Sequence, residues 1–111
     1  MTATIPDEGS ASEIVSLNGQ ALIGLVVPAL FTGNQIGLVA GDSASTCQPV
    51  YDSAGNHLLM PAAANRYIAV PYNTYYLRRY VGLQSYTTGT LEVQENAGDG
   101  DCVITLVTDR P

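Results

Sequence analysis

The sequence predicts an all-β chain: a single antiparallel β-sandwich, jelly-roll-like, of about eight short strands over residues 12–111, preceded by an extended N-terminal arm over residues 1–11. Three observations predict it. From Ser12 onward, apolar runs of about five to eight residues alternate with clusters of Gly, Asn, Asp, Ser and Pro, the rhythm of short strands joined by tight turns. No stretch sustains a helical apolar period for three turns, and Pro61-Ala62-Ala63-Ala64-Asn65 has room for one short helical turn. A composition 46% hydrophobic and only 13% charged excludes disorder, which requires the reverse, and 111 residues form one domain that buries a core without metal or disulfide staples.

Taken in order, Met1 to Ala11 is polar, contains Pro6 and Gly9 and lacks periodicity, so it reads as an arm outside the core, with Ile5 and Pro6 as its docking residues. Strands follow at Glu13–Leu17, Ala21–Val27, Gln35–Ala40, Pro49–Tyr51, His57–Met60, Tyr67–Val70, Tyr75–Ser85, Thr90–Val93 and Cys102–Thr108. Alternation puts Ile36, Leu38 and Ala40 on one inner face, and Ile68 and Val70 on another. Two strands are apolar on both sides. Ile23, Leu25 and Val27 oppose Leu22 and Val26, and Ile104 and Leu106 oppose Val103 and Val107. Such strands are covered on both sides, either by the chain's own loops or by a neighbouring molecule. Asp52-Ser53-Ala54-Gly55 suits a type I turn followed by a left-handed glycine, closing a hairpin, and Asn18-Gly19 and Asp42-Ser43 are further turn signals.

Charge and motifs exclude several functions. Four arginines, no lysine and ten acidic residues give a net charge of −6, with no basic stripe for nucleic acid or an anionic membrane surface. The apolar stretch Ala21 to Phe31 is too short to span a bilayer, and Met1 to Thr4 lacks the regions of a signal peptide. The default compartment is therefore cytosolic, with Cys47 and Cys102 expected as free thiols rather than a bridge. His57 is the single histidine, and no glycine-flanked serine, C-x-x-C pair or phosphate loop accompanies it. No catalytic group and no cofactor is therefore expected. The acidic run Glu92, Glu95, Asp99 and Asp101 has oxygens for calcium but fits no EF-hand spacing; a solvated loop is the simpler account.

The segment Tyr72 to Tyr80 holds four of the seven tyrosines and two of the four arginines. On a strand, Tyr76, Arg78, Tyr80, Gln84 and Tyr86 share one face, with arginine between tyrosines as at protein–protein hot spots. Together with Leu22 and Leu25, Tyr76, Arg78, Tyr80 and Tyr86 are the expected self-association surface. A sugar-stacking platform is the alternative use of the same tyrosines. Arg79 falls on the apolar side and should either snorkel to an edge or pair with Asp109 or Glu13.

Several runs resemble a group of small tailed-bacteriophage virion proteins, the β-sandwich head decoration or cement type. They are Ile14-Val15-Ser16-Leu17, Leu22 to Ala29, Gln35 to Asp42, Pro49 to Gly55, Tyr80 to Ser85 and Val103 to Val107, together covering roughly Glu13 to Val107. Arg78-Arg79 is more basic than that pattern, and the strand after Thr90 is shorter. The resemblance implies a non-enzymatic subunit made in the host cytoplasm and seated on the outside of the capsid, often as a homotrimer. Its partners would be the major capsid protein or another virion protein, and other copies of itself. A carbohydrate-binding or adaptor module of a phage tail is the alternative.

Overall fold

The alternating runs close into two antiparallel sheets whose inner faces meet in one core. The computed structural model describes residues 1–70, 79–91 and 101–109. Among the described residues there are ten strands and no helix: β1 (Thr2–Ile5), β2 (Val15–Ser16), β3 (Ala21–Val27), β4 (Gln35–Gly41), β5 (Gln48–Pro49), β6 (Leu59–Pro61), β7 (Arg66–Ala69), β8 (Tyr80–Thr87), β9 (Thr90–Leu91) and β10 (Cys102–Asp109). The first sheet has the order β1-β10-β3-β7. The second has the order β2-β8-β4-β5, with β6 also on β4 and β9 on β8.

β5 and β6 lie along the same strand. Val39 is opposite Pro49 and Gly37 is opposite Leu59, while residues 50–58 between them leave the sheet as a hairpin. Taken as one interrupted strand, with β9 as an extension beside β8, they leave eight positions alternating between the sheets in jelly-roll order. The predicted architecture is the observed one.

The turns form as their residues require. Asp52 Oδ1 accepts hydrogen bonds from the Ala54 and Asn56 amides, Gly55 takes φ 87°, and Tyr51 bridges His57 across the hairpin. Asn18 and Gly19 both take positive φ, and the Gln20 N–H donates to the Leu17 carbonyl as the chain crosses between sheets. A third turn, Thr88-Gly89, also has positive φ at both residues. It is held from outside: Asn34 Oδ1 accepts from the Thr88 amide at 2.8 Å and Gln35 Oε1 from the Gly89 amide at 2.7 Å.

Two expectations are corrected here. The N-terminal segment is not a free arm. Thr2–Ile5 pairs with β10, and Ala3 and Ile5 are buried in the core. Thr2 and Thr4 face outward, so this is an ordinary half-buried strand whose inner face carries one small and one large residue. Beyond it, Ser10 to Ser12 run along β8, where the Ser10 carbonyl accepts from the Ser85 amide and the Ser12 amide donates to the Leu83 carbonyl. The second correction concerns β3. Val107 is opposite Gly24 but Thr108 is opposite Leu22, which leaves Ile23 as the extra residue of a β-bulge. The bulge reverses the alternation, so Leu22 joins Leu25 and Val27 in the core while Ile23 and Val26 face out.

Candidate functional site

The first sheet has a bare outer face. In register, Thr2, Thr105, Val26 and Tyr67 form a row across all four strands, and Thr4 lies beside Val103. Ile23 and Val26 remain 37% and 39% exposed, Val103 45% and Tyr67 62%. A Cβ on Gly24 would lie 2.8 Å from the Tyr67 ring, so that ring lies across the glycine and fills its gap. Outward positions are Thr, Val, Ile, Tyr, Ala and Gly, and along β10 the face is bounded by Asp101, just before the strand, and Asp109 at its end. Four strands about 4.8 Å apart, two of them only four residues long, cover roughly 360 Å². The β1 edge beside this face is closed to pairing because Glu13 Oε1 accepts the Thr4 amide at 2.7 Å.

The second sheet covers its own outer face. A Cβ on Gly82 would meet Ile14 and Val39 at 2.8 and 2.9 Å, and one on Gly37 would meet Tyr86 at 2.7 Å. Tyr86 is buried, and its hydroxyl donates to Gln84 Oε1. The His57 ring meets Tyr86 edge-on at 5.3 Å and stacks on Tyr51 at 5.0 Å. The buried His57 Nε2 has no hydrogen-bond partner. Burial, and then the neighbouring Tyr51, push the Tyr86 phenol above its ordinary pKa.

A groove of about 870 Å³ opens at one end of this sheet, walled by Asn18, Asp42, Gln48, Tyr51, Arg79 and Tyr80 among others. Arg79 Nε lies 3.6 Å from Asp42 Oδ1, and both side chains are exposed. Arg79 therefore pairs at the strand end with Asp42, not with Asp109 or Glu13, because its position precedes the buried part of β8.

The expected association residues scatter. Leu22 and Leu25 are buried in the core and offer nothing to a partner; the bulge turns Leu22 inward, and Leu25 lies there by the ordinary alternation with Val27. Tyr80 lies in the groove, Tyr86 lies beneath the hairpin, and Tyr76 and Arg78 fall outside the described residues. Of the two docking residues Ile5 is fully buried, whereas Pro6 is exposed. The surface that sequence reasoning missed is Ile23, Val26, Tyr67 and Val103; its signal was present in the two strands apolar on both sides. No family model, curated protein or solved structure matches the chain.

Both cysteines are free, and burial pushes the Cys102 thiol up to about 11. Of the acidic run, Asp101 accepts the Asp7 amide through Oδ1, while Glu92, Glu95 and Asp99 lie outside the described residues.

Proposed function

We propose that this chain is a non-enzymatic structural subunit of a virion, of the head decoration type, which meets a second copy of itself through the outer face of the first sheet. The observation that carries the reading is that face: β-branched and aromatic, uncharged over its width, and more than a third exposed at Ile23, Val26, Val103 and Tyr67. A chain with net charge −6 repels its own copies least where no acid faces the contact, and the middle of this face, between Asp101 and Asp109, is such a place. The resemblance in the strand sequences supports placement on a phage head. Two such faces together bury about 700 Å², below the range of stable specific interfaces, so pairwise contact is weak and gains strength when many copies share one particle. Face against identical face closes a two-fold dimer, whereas face against a different patch closes a ring such as the expected trimer.

Sedimentation over a wide concentration range tests the reading. The wild-type chain should associate as concentration rises, and Val26→Arg should remain a single copy with an unchanged β-sheet circular dichroism spectrum. The same pair should differ in co-sedimentation with capsids. A wild-type chain that stays a single copy throughout and ignores capsids overturns the proposal.

A further inference from the structure

We propose that the end groove of the second sheet is a binding site for an uncharged sugar, independent of the association face. Its size, about 870 Å³, falls within the range of small-molecule sites. Its walls come from separate parts of the chain: the turn after β2 supplies Asn18, the end of β4 leads to Asp42, β5 gives Gln48, the inserted hairpin gives Tyr51, and the start of β8 gives Arg79 and Tyr80.

The charges decide the ligand class. Arg79 and Asp42 face each other at 3.6 Å, so the groove carries one charge of each sign and no excess. An anion would compete with Asp42 for Arg79 and meet a chain of net charge −6. A cation would compete with Arg79 for Asp42. A neutral polyol displaces neither, since each of its hydroxyls both donates and accepts. It can take donors from the guanidinium and the Asn18 and Gln48 amides, and give its own protons to the carboxylate.

The aromatic side is prepared in advance. His57 stacks on one face of the Tyr51 ring at 5.0 Å and is itself braced edge-on by Tyr86, while Tyr51 remains 58% exposed. One ring face is thus held by the protein and the other is open. That is the arrangement a sugar ring needs for stacking its C–H face with little loss of side-chain freedom. The Asp52 carboxylate fixes the hairpin that carries this ring.

The test is a titration of the full chain with a panel of neutral mono- and disaccharides (glucose, galactose, mannose, N-acetylglucosamine, maltose, lactose), followed by backbone amide chemical shifts. Sialyllactose and glucosamine serve as anionic and cationic comparisons. At least one neutral sugar should shift amides around Asn18, Asp42 and Tyr51, more strongly than either charged comparison. Tyr51→Ala and Asp42→Ala, both at exposed positions, should each weaken binding by about tenfold or more. Tyr67→Ala, on the association face, should leave it unchanged. Absence of any shift with every neutral sugar at high millimolar concentration, shifts confined to other surfaces, or wild-type affinity retained in Tyr51→Ala and Asp42→Ala overturns the proposal.

Discussion

Replacing Ile5 by alanine separates a strand from an arm. Ile5 is fully buried, shares the core with Ala3, and lies opposite Cys102 across the β1–β10 ladder. Removing its outer carbons from a closed core costs about 2–5 kcal/mol, the transfer loss plus the cavity left behind. A domain of this size has about 5–15 kcal/mol in total, so the change takes a large share of it. With an unfolding entropy near 2.1 cal/mol/K per residue, each kcal/mol lowers Tm by about 4 °C, so Ile5→Ala should lower it by roughly 8–20 °C. Thermal unfolding followed by far-ultraviolet circular dichroism measures this, with urea unfolding to check that the slope is unchanged. Pro6→Ala, one residue on and exposed, should stay within about 0.5 kcal/mol of wild type. An Ile5→Ala melting curve that overlays the wild type would refute the placement of this segment in the core and restore a free arm.

Two further outcomes follow from the same contacts. Gly37→Ala should destabilise by about 1–3 kcal/mol because its Cβ meets the buried Tyr86 ring and Leu59. Gly24→Ala should cost less, since the Tyr67 ring in its way is exposed and can swing outward; equal costs in urea unfolding would contradict the packing of Tyr86. For the thiols, Cys102 keeps its proton in the folded chain up to about pH 11 while the unfolded chain loses it near 9.0. Its contribution is therefore fully present below pH 9 and declines as pH rises towards 11. Unfolding titrations across that window should show the decline, and Cys102→Ala should flatten it. Burial raises the half-buried Cys47 thiol as well, so a colourimetric thiol reagent at pH 8 should modify Cys47 first and reach Cys102 only after unfolding.

The sandwich was legible because its signals are local. Ile36 and Leu38 of Gln35–Gly41 are buried as their spacing by two requires, Asp52 to Gly55 closes its hairpin through its own side chain, and no helix competes among the described residues. What escaped was non-local. Thr2–Ile5 shows only one full-sized apolar residue on its inner face, so its burial depends on β10, a hundred residues away, offering a partner edge. The direction of Leu22 was hidden by the bulge at Ile23, a property of the pairing with β10 that leaves no mark in β3 alone. One residue left out of the pairing shifts the alternation beyond it, and for that reason Leu22 stood where Ile23 belongs, while Val26 keeps the outward side that alternation gives it. The groove was invisible for a similar reason: Asn18, Asp42, Tyr51 and Arg79 come from four different segments.

The two outer faces differ in a way that bears on association. On the second sheet, glycines at 37 and 82 make room for Tyr86, Ile14 and Val39, and the inserted hairpin packs its His57 against Tyr86, so the sheet is roofed by its own chain. On the first sheet a single glycine is filled by a single exposed ring, and no loop among the described residues returns over Val26 and Val103. A β-branched sheet face of this kind loses free energy to water at every exposed methyl group. Charged residues there would remove that liability at no cost to the core, yet Glu13 instead closes the neighbouring edge of β1. Strand addition at the β1 edge is opposed by that carboxylate while face contact is left open. With only about 700 Å² available, the self-contact we propose would be reversible for the free chain and persistent only where a common surface holds many copies side by side.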